Sequence, residues 1–198
     1  LVLPGLTLDL MYAGATPFAG KFGSSISTPK LSVRDDGSAM GLAATKRITC
    51  EGLPTGCTNL IKDGKLVGLL SNYYESQRSL RDPDAINKIG VDPTNIRDQI
   101  APRNGFRFSR GGGRHFDSIP STSATNVLIE ASDQGKSSAE LLAEIDNGLY
   151  IGRIWYTYPV NGFSSGDFTC TVIGDSFLIR NGELAEPLKP NTLRINHN

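Results

Sequence analysis

Two dipeptides limit the folds open to this chain more than any other feature. Asp63-Gly64 separates Asn59-Leu60-Ile61-Lys62 from Lys65-Leu66-Val67-Gly68-Leu69-Leu70, and Asn181-Gly182 separates Ser176-Phe177-Leu178-Ile179-Arg180 from Glu183-Leu184-Ala185. Such pairs adopt the positive φ angles of a two-residue turn, whose twist matches that of two antiparallel strands. Both predict β-hairpins, with Pro187 and Pro190 limiting how far the second returning strand can pair.

Further strands are expected over Lys30 to Arg34, Asn126 to Ala131 and Leu149 to Tyr158, and over Asp167 to Ile173, where Phe168, Cys170 and Val172 alternate with polar residues. One helix is expected from about Ser138 to Asn147. Ser137 and Glu140 have capping-box spacing, Leu141, Leu142 and Ile145 form an apolar stripe, and Gly148 can close the end in the left-handed region. A shorter helix covers roughly Asn72 to Leu80 and stops before Asp82-Pro83, where the residue preceding proline is pushed out of helical geometry. Asp82 to Thr125 carries four prolines and Gly111-Gly112-Gly113 with little periodicity, and reads as a long functional or mobile loop. The class is α+β and dominated by β: mostly antiparallel sheet with one or two helices and a long Gly- and Pro-containing loop.

At 198 residues the chain can form one well-packed domain, 1–198, without disulfide or metal staples. Lys plus Arg equals Asp plus Glu at 20 each, so no global field draws it to nucleic acid or an anionic membrane, and no apolar run is long enough to cross a bilayer. Cys50, Cys57 and Cys170 are an odd number without zinc-knuckle spacing, a usage that suits a reducing cytoplasm. The chain opens on Leu1, as expected of a trimmed piece of a longer protein.

Candidate chemistry concentrates in the loop. Gly111-Gly112-Gly113 would let a ligand approach the backbone closely, and Arg110 or Arg114 could hold a carboxylate in a bidentate grip. The alternative is an ordinary surface turn. A phosphate loop is excluded, because the Gly-Lys-Ser/Thr ending is missing. Arg97, Arg103, Arg107, Arg110 and Arg114 are interleaved with Phe106 and Phe108, so a stand-alone module binding protein or single-stranded nucleic acid is the competing reading; the zero net charge argues against nucleic acid. Cys170 sits at an inward strand position and reads as core rather than metal ligand. Ser164 and Ser165 have no partner histidine on a neighbouring element, which excludes a serine triad.

Several stretches, in order, resemble the C-terminal part of TldD/PmbA proteins, also called modulators of DNA gyrase. They are Val33-Arg34-Asp35-Asp36-Gly37, Glu51-Gly52-Leu53-Pro54-Thr55, the hairpin around Asp63-Gly64, Ser109-Arg110-Gly111-Gly112-Gly113-Arg114, Asp146-Asn147-Gly148-Leu149-Tyr150, Ser165-Gly166-Asp167-Phe168 and Phe177-Leu178-Ile179-Arg180-Asn181-Gly182-Glu183. The resemblance implies a cytoplasmic, dimer-forming metallopeptidase acting on extended peptides or unfolded protein, in proteolysis and peptide maturation, with a homologous or identical partner subunit. It also implies zinc, held by a His-Glu-x-x-x-His helix and a later cysteine. This chain has only His115 and His197 and neither of those motifs, so no metal site and no catalytic residue are expected in it, and it is expected to be inactive alone. The parent is then either an active subunit whose motif lies elsewhere or an inactive partner subunit. The expected role is a substrate-channel and assembly domain, with Gly111, Gly112, Gly113, Arg114 and His115 contacting the peptide; a solvated His115 is the alternative.

Overall fold

The computed structural model describes residues 2–107, 116–133, 135–162, 165, 167–191 and 193–197. The chain divides into two compact units, Val2–Asp133 and Gln134–Asn198 together with Leu1. The first opens with two short helices, α1 (Val2–Gly5) and α2 (Leu8–Tyr12), followed by β1 (Leu31–Asp36), β2 (Cys57–Lys62) and β3 (Lys65–Leu66). Then come α3 (Tyr73–Ser79), α4 (Ala85–Ile89), a 3-10 turn at Pro93–Ile96, β4 (Gly105–Phe106), β5 (Ser121–Thr122) and β6 (Val127–Ala131). Its main sheet has the order β3-β2-β1-β6, with antiparallel pairing throughout.

The Asp63-Gly64 hairpin forms as expected, with φ of 48° and 77° at the two turn residues. Its tip is held from outside the hairpin: the Gly64 N–H donates to Leu31 O at 2.9 Å, and Gly64 O accepts from Ile26 N–H at 2.8 Å. Leu60 and Leu66 face inward, where they join Leu6, Leu8, Met11, Leu69, Leu70, Ile89 and Ile100 in one continuous core. The short helix over Tyr73–Ser79 forms because Asn72 accepts the Glu75 N–H at 2.9 Å, supplying an otherwise unpaired first-turn donor. The described residues of 82–125 are more structured than their lack of periodicity suggests. Asp92 caps the Pro93–Ile96 turn, and Gly90 ends α4 at φ 98°.

The second unit contains α5 (Ser138–Ala143), β7 (Asn147–Tyr150), β8 (Ile154–Pro159), β9 (Phe168–Val172), β10 (Phe177–Arg180), β11 (Glu183–Pro187) and β12 (Arg194–His197). They form two three-stranded antiparallel sheets, β11-β10-β7 and β12-β9-β8. The Asn181-Gly182 turn forms with φ of 51° and 80°. The fold class is therefore α+β dominated by antiparallel strands.

Two boundaries differ from expectation. The capping box at Ser137 and Glu140 is present, but α5 ends at Ala143 rather than near Asn147. Gly148 does not cap it: this glycine pairs with Ile179 inside β7, because Ile145 O and Asp146 O accept the N–H groups of Gly182 and Asn181 and turn the chain into the sheet. The continuous strand expected over Leu149 to Tyr158 is broken into β7 and β8. The cause lies at Gly152, where a Cβ would meet Asp175 O at 1.9 Å while the N–H donates to Ser176 Oγ. Only a glycine fits there.

Candidate functional site

The glycine-arginine segment lies in sequence between β4 and β5, which pair Gly105 with Thr122 and Phe106 with Ser121. Gly111, Gly112, Gly113, Arg114 and His115, together with Arg110 and Phe108, lie outside the described residues. The β4–β5 stem that flanks them in sequence is described. Arg107 Nη1 donates to Phe116 O at 2.9 Å, and Phe116 and Ile119 are exposed. Phe106 is only 2% exposed, with Lys46 Nζ 5.2 Å from its ring centroid, so it is not open to stacking on a base. Arg103 pairs with Asp98.

Below the stem is a polar cluster that no local sequence window contains. Asp35, on β1, is 1% exposed. Its Oδ2 accepts from Asn104 Nδ2 at 2.7 Å and Thr125 Oγ1 at 2.9 Å, and its Oδ1 accepts from the Thr125 N–H at 2.6 Å. Burial pushes the carboxyl pKa up, while the three donors oppose that shift by stabilising the anion. Asn104 immediately precedes β4 and also donates to Ser123 O, whose own N–H donates to Asn104 O. Glu51 adds a second brace: both its carboxylate oxygens accept the Tyr73 N–H at the start of α3, and its side chain fills the space a Cβ on Gly105 would occupy. The one available signal for Asp35 was its place in the Val33-Arg34-Asp35-Asp36-Gly37 stretch, just past the strand expected over Lys30 to Arg34, which the structure extends to Asp36. Its partners, 69 and 90 residues further along, were not legible.

The cysteines do not assemble a metal centre. Cys170 is buried on β9, opposite Ile195 of β12, as its inward position implied, whereas Cys50 and Cys57 are exposed on the other unit. Among the described residues no group of three or more His, Cys, Asp or Glu is placed to hold a metal ion. Among the described residues the donor set does not fit the zinc that the resemblance implies.

In the second unit, β8 is outermost among the described strands of its sheet. Trp155 and Tyr156 are 64% and 71% exposed, with Ile154 and Tyr158 also at the surface. Tyr156 has φ of 55°, and the register slips between Trp155 and Tyr158, so consecutive aromatics stand clear of the sheet instead of alternating through it. Tyr156 and Tyr158 meet edge to face at 6.1 Å, and Arg194 Nη2 donates to Tyr158 Oη at 2.7 Å. Sequence reading found the strand but not the bulge that turns its rings outward.

Among the described residues no helix is long and apolar enough to cross a membrane. A metalloprotease of Synechocystis is 28% identical over 88% of this chain, and a TldD homologue of Haemophilus influenzae, also named a metalloprotease, is 27% identical over 96%. The chain spans about a third of the length of these relatives, 31% and 33%. The crystal structure of TldE from Thermococcus kodakarensis has the same fold across the whole chain, at a TM-score of 0.71 and 23% identity, with 38% of that protein covered. A Thermotoga maritima structure, described as a candidate modulator of a DNA gyrase, superposes on 98% of the chain at a TM-score of 0.67 and 21% identity, with 37% of that protein covered. The model of the PmbA/TldA metallopeptidase C-terminal domain matches residues 1–198 from end to end, and the chain belongs to that family.

Proposed function

We propose that this domain is the substrate-channel and assembly part of a TldD/PmbA-type zinc metallopeptidase or of its inactive partner subunit, working in the cytoplasm in proteolysis or peptide maturation. Residues 1–198 act as one family domain, and its partners are an extended peptide and a second family subunit, identical or homologous. Family membership, relatives named as metalloproteases and a neighbour named TldE support this reading. The observation that carries it furthest is β8, outermost among the described strands of its sheet, where Ile154, Trp155, Tyr156 and Tyr158 are exposed and an extended chain could add ladder hydrogen bonds and apolar contact. Recognition through main-chain pairing tolerates many sequences, as a peptidase channel requires. Gly111, Gly112, Gly113, Arg114 and His115 are proposed as further peptide contacts: the glycines permit close approach and the arginine binds carboxylates.

Trp155 is the only tryptophan, so its emission reports on β8 alone. Titration with a synthetic unstructured peptide should shift that emission to shorter wavelength as water leaves the indole, and substitution of Arg114 by Ala should weaken binding. The chain should cleave no peptide, with or without added zinc. Chelator-sensitive hydrolysis by the purified chain, or a peptide titration that leaves Trp155 unmoved, would overturn the proposal.

A further inference from the structure

We infer that Asp35 is the positioning residue for the β4–β5 pair, because its one buried carboxylate clamps both feet of that pair, the chain entering β4 and the chain leaving β5, to the main sheet. Asn104, next to the first foot, and Thr125, just beyond the second, meet the same side chain at 2.6 to 2.9 Å. The two feet are also joined directly, through Asn104 Nδ2 to Ser123 O at 3.1 Å and Ser123 N–H to Asn104 O at 3.0 Å. β1 is fixed on both sides by β2 and β6, so the carboxylate is anchored in the most extensively paired part of the unit. A two-residue ladder such as β4 with β5 could not hold its register alone, since an isolated short hairpin is marginal in water. Three donors on one anion, away from solvent, supply the missing constraint: charge-assisted bonds are about twice as strong as neutral ones. The carboxylate is matched to this task because all three of its partners are donors, whereas a carboxamide would turn an N–H toward at least one of them.

That the clamped β4–β5 pair lies beside a bound peptide rests on the function proposed above; that it is clamped does not. The test is amide exchange of the chain carrying Asp35→Asn, Thr125→Val or Thr125→Ser, with affinity for a synthetic unstructured peptide measured in parallel. Exchange at Phe106, Ser123 and Thr125 should accelerate roughly tenfold or more in D35N and T125V, the consequence of losing a bond to a charged group. The Val67 and Leu69 amides, which donate to Leu60 O and Gln99 O, should be unchanged, and T125S, which keeps the hydroxyl, should behave as wild type. Peptide affinity should fall with the loosening of the stem. Unchanged stem amides in both D35N and T125V would overturn the inference, as would equal acceleration throughout Val2–Asp133. If D35N fails to fold, T125V alone decides. A wild-type chain that binds no peptide while the variants still loosen the stem would uphold the clamp and remove the proposed function.

Discussion

Tyr12 shows how a single side chain can carry a measurable pH dependence. Its ring lies beneath two cations, with Arg78 Cζ 4.2 Å and Lys88 Nζ 4.8 Å from the centroid, while its hydroxyl is buried without a hydrogen-bond partner among the described residues. Burial, and then the charge of Asp82, push the phenol from 10.0 up to about 12. The folded state therefore holds this proton more tightly than the unfolded state does. The resulting stability is fully present below pH 10 and is lost as pH rises from there toward 12. Tyr12→Phe keeps the ring under its cations and removes an unpaired buried hydroxyl, so it should be neutral or slightly stabilising at pH 7. Urea midpoints measured across that range should fall less steeply in Y12F than in wild type; equal slopes would mean that the phenol is not responsible. Gly68 is constrained by space rather than by φ. A Cβ there would lie 2.1 Å from Asn59 O and 3.2 Å from Gln99 O, and both are backbone atoms in paired segments. Gly68→Ala should lower stability by about 1–3 kcal/mol or more, read from the urea midpoint, because neither neighbour can withdraw without breaking the sheet. Neither residue stands out in sequence. Turn glycines such as Gly64 are legible because their partner is adjacent, whereas the space around Gly68 is set by chain 9 and 31 residues away.

At the scale of elements, the structure follows the sequence where a signal is local and departs from it where tertiary contacts compete. Both helix starts that sequence chemistry marks are where it puts them: Asn72 accepts the Glu75 N–H, and Ser137 and Glu140 form the reciprocal capping box. α5 ends earlier than the apolar stripe of Leu141, Leu142 and Ile145 implies, because such a stripe is a weak guide when the helix buries none of its residues. What stops it is β10–β11, whose Asn181-Gly182 turn takes the carbonyls of Ile145 and Asp146. α5 thus depends heavily on its cap. Ser137→Ala should cost about 1 kcal/mol and appear chiefly as faster amide exchange within α5. Asn72→Ala removes a similar bond from a helix whose Ser76 and Ser79 are buried, and should instead lower the urea midpoint of the Val2–Asp133 unit by a comparable amount. If both substitutions shifted that midpoint equally, α5 would be more deeply integrated than its exposure indicates.

At the scale of the whole molecule, apolar burial is distributed unevenly. The continuous core of Leu6, Leu8, Met11, Leu60, Leu66, Leu69, Leu70, Ile89 and Ile100 belongs wholly to Val2–Asp133. In Gln134–Asn198 the buried apolar side chains among the described residues are Cys170, Val172 and Ile179, while Leu149, Ile154, Trp155, Tyr156 and Val160 are exposed. The pattern was half legible: alternation over Asp167 to Ile173 located the inward side of β9, but nothing in the run Leu149 to Tyr158 indicated that its aromatics would stay in water. Since stability scales with apolar area removed from solvent, the second unit should open at lower free energy than the first. Native-state amide exchange should show β9 and β10 protected well below β1 and β2. Leu60→Ala, expected to cost about 2–5 kcal/mol, should lower protection across Val2–Asp133. Val172→Ala should act on the β9 ladder. On the proposed function a peptide covers these exposed aromatics, so a saturating unstructured peptide should raise β8 and β9 protection while leaving β1 and β2 as they were. Protection of β9 equal to that of β2 in the free chain would show that the exposed aromatics are not needed elsewhere, and would remove the thermodynamic reason for them to be covered.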